Sequence, residues 1–354
     1  MPDSGVPGKK VNLKNLLPVE LESFLVSLGA EPFRATQLIE WLHRRGAESF
    51  AEMSNIPLAL RTRLAEVASV SSARKLTEKR APDGTVKYLF ALEDGQAIES
   101  VLIKYSYGYS VCVSTQVGCR MACRFCASTL GGLVRNLEPA EMLDQVIAIN
   151  RELAPKGERV GRVVLMGSGE PLDNYEAVQR FLRLLNLPKG LNIGYRHITL
   201  STSGIVPGIR RLAGEGLPIT LAVSLHAPTN ALRDWLMPIN RQYPLEELIP
   251  ACRAYASQTR RRVTYEYALI RGVNDSLAEA DALARLLKGS LAHVNLIPLN
   301  PVPGKDLEPS PPGVVRRFAG YLRERGLPTT VRRELGADIE AACGQLRRRV
   351  LQEH

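Results

Sequence analysis

The residues of this sequence with the clearest capacity for chemistry are three cysteines within eight positions. Cys119, Cys123 and Cys126 have the spacing Cys-x₃-Cys-x₂-Cys, on a loop that opens at Gly118. Three thiolates can bind three irons of a [4Fe–4S] cube and leave the fourth iron open to a ligand that is not protein. Structural zinc normally takes four protein ligands, and the nearest histidine, His197, is far along the chain. The spacing therefore predicts a [4Fe–4S] cluster whose open iron chelates S-adenosylmethionine (SAM) and supports radical chemistry.

The other three cysteines stand apart from this motif. Six cysteines in 354 residues are too few for a disulfide scaffold. Cys252 lies among Ala, Arg and Tyr and is interpreted as a small residue of a helix. Cys343 has small neighbours and a following glycine, which suits an accessible thiol, but without further context a buried, inert cysteine is the better interpretation. Cys112, seven residues before Cys119, is equally consistent with the packing of a strand.

Alternating strand and helix patterns from Ser110 onward supply the elements that must position the cysteines. Amphipathic helical stretches, for example 138–153, 175–185 and 277–287, separate the strands. Six β/α repeats predict a parallel sheet that is closed or partly closed into a barrel, with function at the carboxyl ends of the strands. A seventh short strand is expected at 329–332. The six predicted strands are 111–115, 163–167, 197–201, 219–225, 263–270 and 294–298.

Small and polar residues follow several of these strands at the same predicted edge. Gly169 and Glu170 follow the second strand, where a glycine lets the backbone approach a ligand closely and a carboxylate can accept a hydrogen bond from an ammonium group. Taken alone, this run is equally consistent with an ordinary glycine-rich turn that exposes its Glu. Several polar groups on one rim predict a polar ligand pocket. The further groups are Ser201 at the third strand, Ser224 to His226 at the fourth and Asn300 at the sixth.

Two smaller segments precede the repeats. Residues 18–70 have apolar positions at three- and four-residue steps, interrupted by Gly and Pro, and predict three short helices. Such a module often binds nucleic acid, and a packing cap for the next domain is the alternative. Residues 74–105 contain two Asp-Gly turn signals between β-rich runs and predict a connecting β-meander. We therefore expect a helical accessory domain over 1–73, a β-rich linker over 74–106, an α/β barrel over 107–330 and a C-terminal segment over 331–354.

Charge and hydropathy narrow the class of protein. The formal net charge is +10, of which residues 1–106 contribute +1 and the remainder +9. A basic field of this kind suits the neutralisation of phosphates, although basic residues can equally decorate a solvated face. No apolar run approaches the roughly 20 residues of a membrane span, and the first residues lack the basic-then-apolar pattern of a secretory signal. We therefore expect a cytoplasmic protein with no membrane partner.

Several blocks of the sequence together resemble the RlmN/Cfr family of radical RNA methyltransferases. The similarity covers nearly the whole chain, and random occurrence of all these blocks in order is not credible. It begins with Cys112-Val-Ser-Thr-Gln-Val-Gly-Cys119-Arg-Met-Ala-Cys123-Arg-Phe-Cys126-Ala-Ser-Thr and Gly131-Gly-Leu-Val-Arg-Asn136-Leu. It continues through Met166-Gly-Ser-Gly-Glu-Pro171-Leu-Asp-Asn174, Ser224-Leu-His-Ala-Pro228, Met237-Pro-Ile-Asn240, Gly272-Val-Asn-Asp275, Asn295-Leu-Ile-Pro-Leu-Asn300-Pro and Asp338-Ile-Glu-Ala-Ala-Cys343-Gly-Gln-Leu.

The resemblance implies a radical SAM fold, a partial (β/α)₆ barrel, and a role for each matching residue. Cys119, Cys123 and Cys126 would ligate the [4Fe–4S] cluster. Two molecules of SAM per turnover would be bound by Gly169, Glu170, Ser201, Ser224, Leu225, His226 and Asn300. Cys343 would accept a methyl group, Cys112 would release the product by forming a disulfide with Cys343, and Glu99 would be the base that removes the ring proton.

By the same resemblance the substrate is RNA. The family methylates C2 of an adenosine in the peptidyl-transferase centre of 23S rRNA, and of the adenosine next to the anticodon in certain tRNAs. Related Cfr enzymes methylate C8 of the same ribosomal adenosine and confer antibiotic resistance. The run Gly169-Glu170-Pro171 favours C2, because typical Cfr sequences have Ala after the Glu, whereas Ser168 departs from the Met that is usual there. An electron donor such as flavodoxin and a monomeric enzyme are also expected.

Functions of two other kinds are the alternatives. A non-catalytic RNA-binding or ribosome-associated protein would use the cysteines for a structural metal, which the lack of a fourth nearby ligand disfavours. A radical enzyme that acts on a small molecule would need neither Cys343 nor the basic surplus. The combined set of Cys112, the three-cysteine motif and Cys343 favours the RNA methyltransferase.

Overall fold

The computed structural model of the chain describes residues 10–70, 73–302 and 304–333, together with residues 335 and 339. Cys343, for which the family resemblance implies methyl acceptance, lies outside the described residues. The described part contains two principal hydrophobic cores. One belongs to a helical N-terminal module, and the other is shared by a ten-stranded sheet and the helices that cover it.

The N-terminal module consists of three short α-helices and a two-stranded parallel pair. Its elements are β1 (Val11–Asn12), α1 (Pro18–Ser27), α2 (Arg34–Ile39), which continues as a π-helical segment over Glu40–Arg45, α3 (Leu58–Val67) and β2 (Ala68–Ser69). Proline at the first position of α1 is preorganised for a helix, and the Glu20 side chain accepts a hydrogen bond from the Leu17 N–H (2.8 Å). Apolar residues at helical spacing, such as Leu21 and Leu25, fill the core of the module. The prediction of three short helices over 18–70 is confirmed.

An antiparallel meander joins this module to the barrel. Its strands are β3 (Ala73–Arg80), β4 (Val86–Leu92) and β5 (Ala97–Tyr105), and β5 also pairs with the first barrel strand, β6 (Gly108–Cys112). The turn residues Gly84 and Gly95 have positive φ, which glycine adopts without strain. The preceding Asp83 and Asp94 carboxylates accept hydrogen bonds from backbone N–H groups of their own turns. Both Asp-Gly hairpins predicted from the sequence are confirmed.

Parallel pairing continues from β6 through six further strands in the order of the chain. A short antiparallel pair, β7 (Gln116–Gly118) and β8 (Leu133–Asn136), comes first. The remaining elements are α4 (Pro139–Leu153), β9 (Val160–Leu165), α5 (Tyr175–Leu185), β10 (Ile198–Thr202), α6 (Val206–Gly214), β11 (Thr220–Ser224), α7 (Asn230–Leu236), α8 (Leu245–Thr259), β12 (Val263–Leu269), α9 (Leu277–Leu287), β13 (Ala292–Pro298), α10 (Pro312–Glu324) and β14 (Thr329–Val331). The predicted (β/α)₆ repeat is confirmed, with β14 as the seventh strand. In the described ranges no helix is both long enough and apolar enough to cross a membrane.

The meander and the barrel share one hydrophobic core. Val86, Tyr88 and Phe90 on β4 are buried in the same cluster as Leu143 and Val146 on α4. Burial of one such side chain stabilises the fold by roughly 1.5–3 kcal/mol relative to exposure. The segment predicted as a linker therefore extends the barrel sheet and fixes the position of β6, the strand that precedes the cysteines.

The start of the barrel differs from the prediction. The sequence pattern predicts a strand at 111–115 with the cysteines directly after it, whereas β6 ends at Cys112 and the cysteines lie between β7 and β8. The N–H groups of Thr115 and Gln116 both donate to the Ser168 carbonyl (2.9 and 3.1 Å), so the chain turns out of the sheet there. Gly118 (φ +79°) then passes so close to its partner strand that a Cβ would lie 2.0 Å from the Gly132 carbonyl oxygen. Alternating apolar residues continue through this turn, so the pattern alone could not reveal it.

The N-terminal module docks onto α4 through buried polar contacts. The Lys14 ammonium and the Asp144 carboxylate form an ion pair (Nζ–Oδ1 2.5 Å) whose side chains are 3% and 5% exposed. Asn15 accepts a hydrogen bond from the Ala140 N–H and donates one to the Glu138 carboxylate, both at 2.8 Å, so it satisfies the first turn of α4. The module therefore lies against the helix that follows the cysteine loop.

Candidate active site

The three cysteines lie on the β7–β8 loop in one apolar cluster. Cys119 and Cys123 are buried, and Cys126 is half-buried. The Cys119 N–H donates to the Gly132 carbonyl at the base of the loop (3.0 Å), and the Cys126 N–H donates to the Cys123 carbonyl (3.2 Å). Ala122 has φ +56°, a left-handed conformation that costs about 1–2 kcal/mol for a residue with a Cβ. The loop is thus a tightly turned segment whose own hydrogen bonds hold the three cysteines near one another.

Residues from the far strands of the barrel pack against this loop. Phe125 lies edge-on to the His226 ring, with the ring centroids 4.5 Å apart. The Arg124 N–H donates to the Leu236 carbonyl (2.9 Å), and the Lys305 ammonium donates to the Cys123 carbonyl (3.0 Å). The loop therefore lies across the segments that follow β11 and β13.

Burial disfavours the thiolate forms of Cys119 and Cys123. It raises the pKa of Cys119 to about 12, and it also raises the pKa of Cys123. The neighbouring thiols and Glu170 raise the pKa of Cys123 further, whereas the Arg233 guanidinium lowers it. A metal ion binds the thiolate form, so metal binding at these cysteines must release protons. Because Cys119, Cys123 and Glu170 act on one another electrostatically, they belong to one site.

The donor set fits an iron–sulfur cluster. Thiolates are soft ligands that select iron–sulfur clusters, copper(I) or zinc over hard cations. Within the described ranges, no group of three His, Cys, Asp or Glu side chains lies close enough together to hold a single ion. A [4Fe–4S] cube binds each thiolate through a different iron, so its ligands do not need to converge on one point.

Glu170 is a buried carboxylate just beyond β9, beside the cysteine loop. It accepts hydrogen bonds from the Leu172 N–H (3.0 Å) and the Ser203 N–H (2.6 Å), and burial raises its pKa in spite of them. Because Ser203 follows β10, Glu170 joins the ends of two adjacent strands. At the preceding Gly169 (φ +109°) a Cβ would lie 2.7 Å from the Gln116 side chain, so only glycine allows this close approach. A carboxylate held in this way is a suitable partner for a ligand ammonium group.

Arg233 joins the ends of β10 and β11 from a fully buried position. Its guanidinium donates to the carbonyls of Ser203 (2.6 Å), Ser224 (3.1 Å) and Leu225 (3.2 Å). The Asn240 side chain accepts a further hydrogen bond from it (2.9 Å). Burial lowers the pKa of Arg233 to about 10, so the group is still a cation at neutral pH. Arg233 therefore fixes the backbone of two of the residues that the family resemblance assigns to SAM.

His226 is a neutral side chain with one ring nitrogen already engaged. Its Nδ1 accepts a hydrogen bond from the Ala268 N–H (2.9 Å), and burial, with the Arg233 cation, lowers its pKa to about 3. Asn274 donates to the carbonyls of His226 (2.8 Å) and Ala268 (2.7 Å) and so fixes the segments after β11 and within β12. His226 is therefore suited to shape the pocket and support the cysteine loop, and not to accept protons at neutral pH.

The two remaining residues predicted to bind SAM lie at the same rim. Ser201 is half-buried on β10, in register with Ala222 of β11. Asn300 is exposed, two residues beyond the end of β13. The carboxyl ends of the parallel strands β9 to β13 share one edge, so all the predicted SAM residues lie along it. Their contact with SAM stays a prediction.

A second group of predicted residues lines a cavity beside this rim. The Glu99 carboxylate on β5 lies 3.4 Å from the ammonium of Lys87 on β4, and both side chains are buried. Ser168 belongs to the turn that leads into Gly169, so the cavity adjoins the Glu170 turn. The residues that line the cavity are Lys87, Glu99, Ser100, Val101, Cys112, Gly167 and Ser168.

The surroundings of Cys112 keep its thiol protonated. Burial raises the pKa of Cys112 to about 11 and the Glu99 carboxylate acts in the same direction, whereas the Arg332 cation lowers it. Arg332 follows β14 and also acts on Glu266 of β12, whose pKa is raised by burial and partly lowered again by the Arg332 cation. The chain that leaves β14 therefore passes near Cys112. Cys343 comes later in the sequence and lies outside the described residues.

Sequence reasoning missed Lys87, Arg233 and Asn274. Asn274 lies in one of the blocks that carry the family resemblance, so a signal for it was present. Lys87 interrupts the otherwise apolar run Val-Lys-Tyr-Leu-Phe, which is a weak signal for a buried charge. Arg233 lies between two matching blocks, and nothing in its neighbourhood indicates that it is buried.

Known proteins resemble the chain over almost its whole length. The sequence profile of the Radical SAM superfamily matches residues 113–284, and that of the ribosomal RNA large subunit methyltransferase N-terminal domain matches residues 11–70. The probable dual-specificity RNA methyltransferase RlmN of Pelotomaculum thermopropionicum is 56% identical over 98% of this chain and 94% of its own length. The protein of the same name from Symbiobacterium thermophilum is 57% identical over 95% of this chain and 91% of its own length. The crystal structure of a radical SAM methyltransferase from Sphaerobacter thermophilus is 48% identical and has a TM-score of 0.92, covering 95% of this chain and 98% of that one.

These similarities extend across the N-terminal module, the cysteine loop and the barrel. Membership of the radical SAM superfamily implies an iron–sulfur cluster and SAM as cofactors. It thereby disfavours a structural zinc site in a non-catalytic protein. The chain is an enzyme and belongs to the RlmN family of radical SAM methyltransferases.

Proposed function

We propose that the chain is an RNA methyltransferase that converts an adenosine of 23S rRNA to 2-methyladenosine and also methylates the adenosine next to the anticodon in tRNAs. The observation that carries this proposal is the adjacency of two groups of residues. The cysteine loop and Glu170 share one electrostatic environment, and Ser168, two residues before Glu170, lines the cavity of Glu99 and Cys112. Chemistry that begins at the first group can therefore be completed at the second without release of the substrate.

The first group suits both cofactors. Cys119, Cys123 and Cys126 would ligate a [4Fe–4S] cluster. When bound, two molecules of SAM per turnover supply one methyl group and one hydrogen-abstracting carbon radical, the latter with an electron from a donor such as flavodoxin. The residues that would bind SAM are Gly169, Glu170, Ser201, Ser224, Leu225, His226 and Asn300.

Cys343 is proposed to carry the carbon atom to the RNA. Its thiolate is the natural nucleophile toward a sulfonium methyl group, which it takes by displacement. Once a hydrogen atom has been removed from that methyl group, the carbon can bond to C2 of adenine, a position that ordinary nucleophilic methyl transfer does not reach. The RNA is then joined to Cys343 by a sulfur–methylene–C2 linkage.

Glu99 and Cys112 are proposed to release the product. The Glu99 carboxylate accepts the C2 proton as the adduct gives up its unpaired electron to a one-electron acceptor, for which the oxidised form of the electron donor is suited. The Cys112 sulfur attacks the Cys343 sulfur, so that a disulfide bond forms as the sulfur–methylene bond breaks. The electron pair of the broken bond stays on the carbon, which takes up the proton lost by the Cys112 thiol and becomes the methyl group. An external reductant then reopens the disulfide between Cys112 and Cys343.

RNA as the substrate is supported by charge and by the named relatives. The excess of positive charge favours contact with a phosphate backbone, and the target base must be unstacked to reach the rim of the barrel. The two relatives described above carry RNA in their names. Pro171 after Glu170 supports C2 over C8 as the methylated carbon.

Anaerobic reconstitution followed by methylation of an rRNA fragment tests this proposal. We expect nuclease digestion and mass spectrometry to locate the new methyl group on C2, and purified wild-type protein to carry a methyl group on Cys343. Cys343→Ala should give no detectable product, because no other thiol is proposed to accept the methyl group. The matched control is Cys252→Ala, at a fully buried cysteine of α8 that belongs to neither group of site residues.

Two results would contradict the proposal in different ways. A methyl group on C8 would show the Cfr-type reaction. An active enzyme whose Cys343 is never methylated would exclude the mechanism.

A further inference from the structure

Lys87 shares one face of the sheet with Glu99 and Cys112. On three neighbouring strands, Lys87 lies opposite Val101, and Val101 lies opposite Cys112. Directly opposed residues project to the same face of a sheet, and Glu99, two residues before Val101, projects to that face as well. The three polar side chains therefore form one patch across β4, β5 and β6, which agrees with the cavity that they line together.

The Lys87 ammonium is buried against the Glu99 carboxylate. Their Nζ–Oε1 distance is 3.4 Å, and the side chains are 1% and 8% exposed. The residues that flank Lys87 on β4, Val86 and Tyr88, are buried and belong to the main core. A buried ion pair is seldom more stabilising than apolar residues of the same volume, because desolvation offsets the attraction. Stability therefore does not account for a lysine at this position.

We propose that Lys87 is a positioning residue for methyl transfer, which holds the Glu99 carboxylate in place beside Cys112 and then stabilises the Cys112 thiolate. This inference rests on the proposed function, which supplies the roles of Glu99 as base and Cys112 as the thiol that releases the product. It adds a cation that serves both groups from the same cavity.

The order of proton transfers explains why one cation serves both groups. Before the ring proton is transferred, the contact with the Lys87 ammonium group holds the Glu99 carboxylate in the cavity that Cys112 also lines. After Glu99 has taken the ring proton, it no longer offers a negative charge to Lys87. Cys112 must then react as a thiolate, although burial raises its pKa to about 11. Lys87 in the same cavity, together with Arg332 beyond β14, supplies positive charge that favours this thiolate.

Lys87→Met tests the proposal, because methionine fills much of the same space without the charge. We expect the rate of RNA methylation to fall roughly 10- to 100-fold. The KM values for the rRNA fragment and for SAM should stay unchanged, since Lys87 is not a predicted contact of either. Methylation of Cys343 should proceed as in wild type, and the covalent enzyme–RNA adduct should accumulate because its release is slowed. The matched control is Lys104→Met, at an exposed lysine of β5, which should behave as wild type.

A double variant, Lys87→Met/Glu99→Gln, keeps the test valid if the single variant folds poorly. It removes both charges of the buried pair, so it should unfold at about the urea concentration of wild type. Because the Glu99→Gln enzyme has no carboxylate for Lys87 to hold, one of the two proposed effects is absent there, and the Met substitution should slow it less than it slows wild type.

The outcomes separate this inference from the proposed function. Wild-type rates in Lys87→Met, or equal slowing by the Met substitution in both backgrounds, would overturn the role of Lys87. A wild-type enzyme that methylates RNA without a methyl group on Cys343 would instead overturn the proposed function, since that readout does not involve Lys87.

Discussion

Cys112 is half-buried and Cys252 is fully buried, and both thiols have a raised pKa, yet their surroundings give them different chemistry. Burial dominates at both positions and raises the pKa of Cys252 to about 12. Cys252 packs in the apolar core of α8 and shares a hydrogen bond with Tyr265. Cys112 instead shares a cavity with Lys87 and Glu99, where positive charge can support a thiolate. At the scale of a residue, neighbouring charge and access to a cavity distinguish a reactive cysteine from a structural one.

The raised pKa of Cys112 predicts that product release accelerates with pH. The active form is the thiolate, and with a pKa of about 11 the thiol is protonated in most molecules at neutral pH. Below the pKa the thiolate fraction grows about tenfold per pH unit, so the release rate should rise with a slope near one between about pH 7 and 9. Single-turnover quenching of Cys343-methylated enzyme with an rRNA fragment measures this rate.

The step that forms the covalent adduct provides the internal control for this pH profile. It does not use the Cys112 thiolate, so its rate should depend on pH less steeply than the rate of release. A release rate that stays constant over the same range would contradict a thiolate as the attacking group.

At the scale of elements, polar side chains that bond to backbone carbonyls hold the strand ends in place. Asn174 donates to the carbonyls of Thr115 (2.9 Å) and Leu137 (2.8 Å), which lie on either side of the β7–β8 pair. Arg233 and Asn274 do the same for the segments after β10 and β11. Buried carbonyls at strand ends need such donors because they have left the ladder of the sheet. The rim that carries the predicted SAM residues is therefore held by side chains that need not touch SAM.

Arg233→Met tests this support of the strand ends. Without the guanidinium, three carbonyls and the Asn240 side chain lose a donor, and since each buried acceptor left unsatisfied costs about 1–3 kcal/mol, the free energy of unfolding should fall by about 3–5 kcal/mol. Arg233→Lys keeps the charge but lacks the planar fork, and it should recover only part of the loss. Urea unfolding of the three proteins measures the effect.

Arg253→Met is the matched control for this series. Arg253 is an exposed arginine of α8, and its loss should cost less than about 1 kcal/mol. An Arg233→Met protein as stable as the control would contradict the role given to Arg233.

The elements that sequence patterns predict best are those with strong local signals. The helices α5 and α9 begin and end where amphipathic periodicity predicts, and Ser276 caps α9 by accepting a hydrogen bond from the Ala278 N–H (3.2 Å). The β7–β8 pair was missed because Gly118 and Gly132 meet through a tertiary contact, which no local pattern records. The burial of Arg233 was missed for the same reason, since its partners come from three separate segments.

At the scale of the whole molecule, the three parts of the chain meet at α4. Arg135 on β8 forms two hydrogen bonds with Glu141 on α4 (2.7 and 2.8 Å) and one with Asp94 in the β4–β5 turn (2.6 Å). One turn further along α4, Asp144 forms the buried ion pair with Lys14 of the N-terminal module. The cysteine loop runs through β8 into the same helix. Docking of the module and the position of the loop therefore depend on one element.

Lys14→Met tests whether this ion pair holds the module on the barrel. The substitution leaves the Asp144 carboxylate buried without its ammonium, at a cost of about 3–5 kcal/mol. We expect amide hydrogen exchange to accelerate across α1 to α3 and in the first turn of α4, while the central strands β10 to β12 keep their protection, because they belong to the separate main core. Lys14→Met/Asp144→Leu should restore slow exchange, since an apolar pair fills the same buried space.

Arg180→Met is the matched control. It removes the half-exposed ion pair between Arg180 and Glu20, which links the same two parts of the chain, and it should change exchange little because exposed pairs contribute less than about 1 kcal/mol. Unchanged exchange in Lys14→Met would mean that apolar contacts and Asn15 suffice to dock the module.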